Sequence, residues 1–154
     1  MQHWLLKTEP EAFSFDDLLR APRKTTGWNG VRNYQARNFL RDGMKKGDRV
    51  LIYHSNAEPP AVVGVAEVVR EGYPDPTQFD PDDDHFDAGA TRKAPRWFQV
   101  DVKAWRKLKR PLSLDELRSV RALAKMPLLQ RGQRLSVQPV GPHEFELILE
   151  LGGT

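Results

Sequence analysis

The sequence predicts a mixed α+β domain built around a small curved sheet or barrel. Five or so strand-like segments are separated by short helical segments, and no segment repeats along the chain. The chain has 154 residues, of which 39% are hydrophobic, so one domain over residues 1–154 can bury a core without disulfides. No linker or low-complexity tract marks the start of a second domain.

Polar capping residues predict two short helices in the first third of the chain. Ser14, with Asp17 three residues later, resembles a capping box for a helix over FDDLLR. Asn33 is a good N-cap for a helix over YQARNFLRD, and Gly43 is a good residue to end it. The spacing of its apolar side chains predicts a buried stripe of Ala36, Phe39 and Leu40.

Apolar and alternating segments predict the strands. The first strand covers residues 2–7, and the apolar segments RVLIYHS and AVVGVAEVVRE, on either side of Pro59–Pro60, are predicted to be central. The segment RWFQVDVKAWRKL alternates between polar and apolar residues, and Pro111 is predicted to end it. This alternation places on one face Phe98, Val100, Val102 and Ala104.

The last third of the chain is predicted to contain short helices and one strand. Ser113 and Glu116 form a capping box for a helix over LDELR. The segment MPLLQRG is a helical turn that ends at Gly132, and RLSVQPV is a short final strand. Pro142 is predicted to begin the closing helix over PHEFELILEL, because proline favours the first helical position.

The charges are segregated along the chain although the net charge is only +3. Residues 92–134 contain 13 Lys and Arg against three acidic residues, whereas residues 75–87 contain six Asp and no Lys or Arg. A basic segment of this strength suits a partner that carries phosphates. The alternative is a solvated basic face without a partner.

The sequence offers little for catalysis, a metal or a cofactor. The absence of cysteine excludes a thiol nucleophile and a zinc site built from cysteines. The four histidines are not spaced as metal ligands, and no glycine-rich phosphate loop or serine nucleophile motif occurs. The run DDDHFD lacks the glycine turn and the final Glu of a calcium loop, so it is predicted to be a solvated acidic loop.

Membrane and secretion signals are absent from the sequence. No apolar run reaches the ~18 residues of a membrane span. The N-terminal MQHWLL runs directly into the charged KTEPE, which is unlike a signal peptide. We therefore expect a cytoplasmic protein with no membrane partner.

Four tryptophans make a binding function more plausible than catalysis. Trp28 lies in the stretch TTGWNGVRN, where Gly and Asn-Gly indicate a turn rather than the interior of an element. A tryptophan there either covers the core or offers a surface on which a base can stack. Trp28 and Trp97 adjoin amide and guanidinium groups that suit a base pocket, whereas Trp105 is assigned to packing and Trp4 fits either role.

Long segments of the chain, from about residue 3 to 149, resemble the EVE domain family. They are WLLKTEP, TTGWNGVRNYQARNFLRDGMKKGD, VLIYHSN, VVGVAEVVREGYPDPTQFD, PRWFQVDV, KLKRPLSLDELR and MPLLQRGQRLSVQPV. The EVE fold belongs to the PUA-like group and is similar to the YTH domain. The resemblance implies an α+β pseudo-barrel of about five or six mixed strands flanked by short helices. It also implies binding of a modified base, such as methylated or oxidised cytosine in DNA, or modified RNA.

The resemblance to YTH domains implies which residues form the base pocket. A Lys-Ser-Asn stretch lines that pocket after the first strand, and Lys7-Thr8-Glu9 stands at that place here. A carboxylate only accepts hydrogen bonds, so Glu9 favours an exocyclic amino group, unless it caps a backbone amide. The loop tryptophan before a helix corresponds to Trp28, followed by Asn29, and the tryptophan at the start of a later strand corresponds to Trp97.

Further polar residues are predicted at the rim of the same pocket. At the end of a central strand, candidates for contact with the base are His54, Ser55 and Asn56. At the start of the second helix, candidates for contact with the phosphate backbone are Arg32, Asn33, Tyr34 and Arg37. In the QRGQRLSVQP motif they are Arg131, Arg134, Ser136 and Gln138. The alternatives are that Asn33 only caps its helix, and that Ser136 and Gln138 only satisfy buried backbone.

These observations predict a reader of modified bases that is not an enzyme and needs no metal or cofactor. RNA is slightly favoured over DNA, because capture of an unpaired base avoids the cost of unstacking a duplex. An alternative is a small hydrolase of modified nucleosides, as in the similar ASCH domains, with Lys7 and Glu9 activating water. A third reading is a protein-interaction module whose tryptophans are only core. The sequence does not predict an oligomeric state.

Overall fold

A computed structural model describes all 154 residues and contains one six-stranded mixed sheet. The strands are β1 (His3–Thr8), β2 (Thr25–Gly27), β3 (Arg49–His54), β4 (Ala61–Pro74), β5 (Phe98–Ser113) and β6 (Val137–Val140). Their order is β2-β5-β4-β3-β1-β6, with β1 and β3 parallel and the other neighbours antiparallel. The edge strands β2 and β6 do not pair with each other, so the sheet does not close into a barrel. The predicted α+β fold of mixed strands and short helices is confirmed.

Four short helices accompany the sheet. They are α1 (Phe15–Arg20), α2 (Tyr34–Asn38), α3 (Leu114–Arg118) and α4 (Pro142–Gly152). Single 3-10 turns cover Pro22–Lys24, Pro76–Phe79, Arg121–Leu123 and Pro127–Leu129, and a π-helical turn covers Phe39–Gly43. None of the helices is both long and apolar enough to cross a membrane.

The two faces of the sheet bury separate cores, because successive strand residues point to opposite sides. Trp4 and Leu6 of β1 pack on one face in a cluster that includes residues of α1 and α2. Leu5 packs on the other face in a cluster that includes residues of α3 and α4. Trp4 is only 3% exposed and its indole N–H donates to Asp48, so it belongs to the first core.

The predicted capping residues begin the helices. The Ser14 hydroxyl accepts from the Asp17 N–H, and the Asp17 carboxylate accepts from the Ser14 N–H, which completes the capping box of α1. The Asn33 side chain accepts from the N–H three residues later at the start of α2. At α3 only half of the predicted box forms: Ser113 accepts from the Glu116 N–H, but the Glu116 carboxylate pairs with an arginine of β5 instead.

One strand was not predicted, and another extends beyond its predicted end. The prediction missed β2, whose three residues are too few to show alternation and pair only with β5. Pro111 does not end β5, which continues to Ser113. The register between β4 and β5 is irregular between Lys107 and Leu112, so the missing N–H of Pro111 interrupts no regular pairing.

The predicted second helix changes form halfway. It is α-helical over Tyr34–Asn38 and continues as the π-helical turn, in which the Met44 N–H donates to the carbonyl of Phe39. The backbone of β4 at Gly72 lies directly against this turn. A Cβ atom at Gly72 would lie 2.7 Å from the carbonyl oxygen of Leu40. The close approach of two backbones therefore requires glycine at this position.

We expect Gly72→Ala to lower the free energy of unfolding by about 1–3 kcal/mol, because the added methyl meets backbone that cannot rotate away. Urea denaturation followed by circular dichroism measures this loss. Gly89→Ala is the matched control, since its methyl would meet only the flexible end of Arg96 and should change stability little. Equal effects of the two substitutions would contradict the steric explanation.

Candidate functional site

A cavity of about 590 Å³ lies between the end of β1 and the segment after β2. Its size is within the ~300–1,000 Å³ range of small-molecule sites. Polar residues dominate its lining: Lys7, Thr8, Glu9, Ala12, Phe13, Thr26, Gly27, Trp28, Asn29, Gly30, Val31, Arg32, His85 and Ser136.

Trp28 forms an apolar wall of this cavity while anchoring its loop in the first core. Its backbone N–H donates to the carbonyl of Val100 over 2.8 Å, immediately after β2. Its ring packs against the ring of Phe13 in an edge-to-face arrangement, at 6.2 Å and 84°. Trp28 is only 7% exposed and also lines the cavity. The same side chain therefore both packs in the core and contacts the cavity.

Asp75 holds the segment that follows Trp28. The fully buried carboxylate accepts from the Gly30 N–H over 2.8 Å and from Nη1 of Arg32 over 3.0 Å. It also accepts from the backbone and hydroxyl of Thr77, at 2.8 and 2.6 Å. Burial acts to raise the pKa of Asp75, but the hydrogen bonds from Thr77, Gly30 and Arg32 together hold it below its ordinary value.

The Arg32 guanidinium is engaged inside the protein. Besides its bond to Asp75, it donates to the carbonyl of His85 over 2.8 Å and to the hydroxyl of Thr77 over 2.9 Å. It also lies over the ring of Trp97, 5.4 Å from the ring centroid. Arg32 therefore joins three segments at the cavity wall, whereas the sequence predicted a contact with phosphate.

The acidic segment predicted as a solvated loop borders the cavity. His85 lines it, and its ring lies 2.8 Å from the position that a Cβ at Gly30 would occupy. Asp83 accepts from the backbone N–H of His85 over 2.8 Å, which supports the turn. The structure contains no group of three or more His, Asp or Glu side chains placed to hold a metal ion.

Residues Lys7, Thr8 and Glu9 lie on the cavity at the end of β1, as the resemblance implied. Burial lowers the pKa of Lys7, and no nearby acidic group opposes that shift. The Thr8 hydroxyl donates to the carbonyl of Phe13 over 2.7 Å. The Glu9 carboxylate accepts from the side-chain amide of Asn56 through Oε1, and Oε2 accepts no hydrogen bond from the protein.

Trp97, predicted to be the opposite wall, does not line the cavity. It is 7% exposed, and its indole N–H donates to Asp87 over 2.7 Å. Tyr34 stacks on its outer side, with ring centroids 4.9 Å apart and ring planes at 29°. Arg32 lies over the same tryptophan and itself lines the cavity, so Trp97 supports the wall from behind.

Other predicted contact residues have structural partners away from the cavity lining. His54 accepts from the Phe15 N–H over 3.1 Å, and burial lowers its pKa. Gln138 is buried and donates to the carbonyl of Leu135, as its alternative reading held. The Arg37 guanidinium donates to the carbonyl of Arg96 over 3.0 Å. The remaining predicted residues are likewise absent from the cavity lining and are exposed or half-buried: Asn33, Tyr34, Ser55, Asn56, Arg131 and Arg134.

The fold and the cavity place the chain among known proteins. Residues 2–151 match the EVE domain. The chain belongs to the EVE domain family. Thymocyte nuclear protein 1 from Gallus gallus is 45% identical to it over 166 residues, covering 97% of this chain and 68% of that protein.

Solved structures resemble this EVE domain over nearly its whole length. A protein from Pseudomonas syringae superposes with a TM-score of 0.92 at 43% identity, covering 97% of this chain and 99% of that one. Human THYN1 protein, crystallised in complex with 5-methylcytosine containing DNA, superposes with a TM-score of 0.90 at 42% identity. That alignment covers 100% of this chain and 99% of the human one. A ZmASCH protein from Zymomonas mobilis, at 12% identity and a TM-score of 0.56, shares the fold alone.

Only some of the predicted site residues line the cavity of this EVE domain. The predicted residues that line it are Lys7, Thr8, Glu9, Trp28, Asn29, Arg32 and Ser136. The sequence did not indicate His85, which lines the cavity, or Asp75, which holds the wall from behind. Both lie in a run of aspartates that resembles a solvated loop, and no local pattern distinguishes them.

Proposed function

We propose that this EVE domain binds one modified base of DNA in the cavity beside Trp28, with 5-methylcytosine as the first candidate. The observation that carries the proposal is the position of Trp28, an aromatic wall in a largely polar cavity at the end of β1. The DNA complex of human THYN1 supports the same class of partner, since the crystallised human chain and this chain superpose over nearly their whole lengths.

The groups around Trp28 suit the recognition of a cytosine. An aromatic wall contributes ~1–3 kcal/mol to the binding of a base. The Oε2 atom of Glu9 is an acceptor without a protein partner, which suits the exocyclic amino group of cytosine. A methyl group in a fitted pocket contributes about 1 kcal/mol or slightly more, so discrimination from unmodified cytosine should be modest.

We propose DNA rather than RNA as the polymer, because human THYN1 was crystallised in complex with DNA that contains 5-methylcytosine. Extraction of a base from a duplex costs a few kcal/mol, which contacts with the phosphate backbone must offset. Exposed basic residues of β5 suit this role, among them Lys103, Arg106 and Lys109. A cytoplasmic location stays a prediction, whereas the vertebrate relatives are named as nuclear proteins.

We propose binding without catalysis. The hydrolase alternative depended on the resemblance to ASCH domains, and the ZmASCH likeness shows only a shared fold. Glu9, one of the two residues proposed to activate water, is exposed and bonded to Asn56. Lys7 remains a candidate contact with the base through its half-buried amine.

Titration of labelled DNA tests the proposal through fluorescence anisotropy. We expect a duplex with one 5-methylcytosine to bind about 5- to 10-fold more tightly than its unmodified twin, as one buried methyl implies. Trp28→Leu should weaken binding of the methylated duplex by about 5- to 150-fold per folded molecule, because it removes the ring but leaves an apolar side chain.

Trp105→Leu is the matched control for this loss of a ring. Trp105 is 39% exposed, has the guanidinium groups of Arg49 and Arg106 over its ring, and does not line the cavity. Its replacement should leave the preference for the methylated duplex unchanged. If the wild type bound both duplexes equally, and Trp28→Leu bound them as the wild type does, the proposed function would be wrong.

A further inference from the structure

A second cavity, of about 570 Å³, adjoins the first. Thr26, Gly27 and Asn29 line both cavities, so the end of β2 and the turn after it form a wall that the two cavities share. A base held beside Trp28 would therefore have a second, solvent-open cavity next to it. The other residues that line the second cavity, among them Tyr73, Gln99 and Asp101, have no role in the proposed function.

The floor of the second cavity is a short chain of hydrogen-bonded side chains. The Tyr73 hydroxyl donates to Oδ1 of Asp101, and the side-chain amide of Gln99 donates to the Tyr73 hydroxyl. Burial, together with the bond to Asp101, raises the pKa of Tyr73, so at neutral pH the phenol keeps the proton that it donates. The Gln99 amide and the Tyr73 hydroxyl thus donate in sequence towards Asp101.

Two acceptors remain without donors on this floor. Gln99 is only 5% exposed, and its Oε1 is buried without a hydrogen-bond partner. The half-buried Asp101 uses Oδ1 for Tyr73, and its Oδ2 accepts nothing from the protein. Oε1 of Gln99 is closed off inside the protein, so the acceptor that a ligand N–H group can reach here is Oδ2 of Asp101. Carboxylate and amide oxygens accept well from the amino groups of bases.

Arg23, a positively charged residue at the rim of the second cavity, has a strained backbone conformation. Arg23 lines the cavity and has a φ of +57°, and the adjacent Lys24 has a φ of +55° but does not line it. Two consecutive residues other than glycine in the left-handed region are costly, and such strain is often retained where a ligand contacts the chain. The exposed guanidinium of Arg23 is suited to a phosphate.

We propose that the second cavity binds the nucleotide adjacent to the modified base in an unpaired strand, and prefers an amino-bearing base to thymine. Asp101 accepts from the amino group of adenine, cytosine or guanine, which thymine lacks. Arg23 contacts the phosphate of that nucleotide. This inference rests on the proposed function, because it needs a modified base in the first cavity.

The test uses short single-stranded DNAs with one 5-methylcytosine and either adenine or thymine on each side. We expect thymine on one side to weaken wild-type binding about tenfold relative to adenine, while the other side has little effect. Asp101→Asn should reduce this difference to about twofold or less, because its amide can also donate to the thymine carbonyl.

Arg23→Gly is a second variant, and we expect it to fold as the wild type does, because glycine adopts the local φ without strain. It should weaken binding of all the DNAs about equally and reduce the salt slope by about one. Lys24→Gly is the matched control, with the same lost charge and the same backbone conformation but no place on the cavity. It should have a clearly smaller effect.

The outcomes separate this inference from the proposed function. If 5-methylcytosine is preferred to cytosine but neither flank matters in the wild type, the second cavity is not a nucleotide site. The same conclusion follows if the flank preference persists unchanged in Asp101→Asn. If no DNA shows a preference for 5-methylcytosine, the proposed function itself fails, and this inference fails with it.

Discussion

Asp75→Ala is expected to lower the free energy of unfolding by about 3–5 kcal/mol, one of the largest losses that any single substitution in this chain should cause. The carboxylate is fully buried and accepts from Gly30, Arg32 and Thr77. Its removal leaves the part-buried donors of two segments, around Gly30 and at Thr77, without an acceptor, and an arginine without its counter-charge. Urea denaturation at pH 7 measures the loss.

Stability should also depend on pH through Asp75. The pKa of this carboxyl is lower in the folded protein than its ordinary value of 3.8, so the folded state favours the ionised form. Its contribution is therefore fully present above the ordinary value and is lost as the pH falls through the lower folded value. Between pH 5 and pH 3, wild-type stability should fall more steeply than that of Asp75→Ala.

Asp84→Ala is the matched control for both measurements. Asp84 is an exposed acidic residue in the same segment, so its replacement changes the charge equally but should leave stability nearly unchanged. Asp75→Ala should also weaken DNA binding per folded molecule, since Gly30 and Arg32 are walls of the first cavity. A variant as stable as the Asp84→Ala control would contradict the role assigned to Asp75.

The parts of the fold that the sequence predicted correctly depend on interactions between near neighbours in the chain. Capping by Ser14 and Asn33 acts within three residues, and proline at the start of α4 acts through its own φ. The apolar segments of β3 and β4 likewise show their burial in their own composition. Glycine and asparagine marked a turn at Trp28, the resemblance to YTH domains assigned it to the pocket, and it lines the cavity.

The parts that could not be predicted depend on contacts between distant segments. Asp75 and Arg32 are 43 residues apart, and the same arginine contacts His85 at a separation of 53 residues. Strand β2 exists because β5 is available to pair with it, and its three residues have no pattern of their own. Seen locally, an Asp-rich segment that borders a cavity is indistinguishable from one that only faces solvent.

Trp97→Ala is the second substitution with a large expected effect, and it distinguishes a cavity wall from a support behind that wall. We expect it to lower the free energy of unfolding by about 3–5 kcal/mol, because truncation of a buried tryptophan leaves a cavity among packed groups. It would also leave Tyr34 and Arg32 without the ring on which they lie. Urea denaturation measures the loss, with the exposed Trp105→Ala as the control for a lost indole.

DNA binding by Trp97→Ala, measured per folded molecule, decides between the two roles. If Trp97 formed the opposite side of a base slot, Trp97→Ala would weaken DNA binding about as strongly as Trp28→Leu does. The loss of affinity would then be greatest for the methylated duplex. Because Trp97 lies behind Arg32 and outside the cavity lining, we expect the preference for 5-methylcytosine to persist. A small loss of stability with complete loss of that preference would instead make Trp97 a wall of the base site.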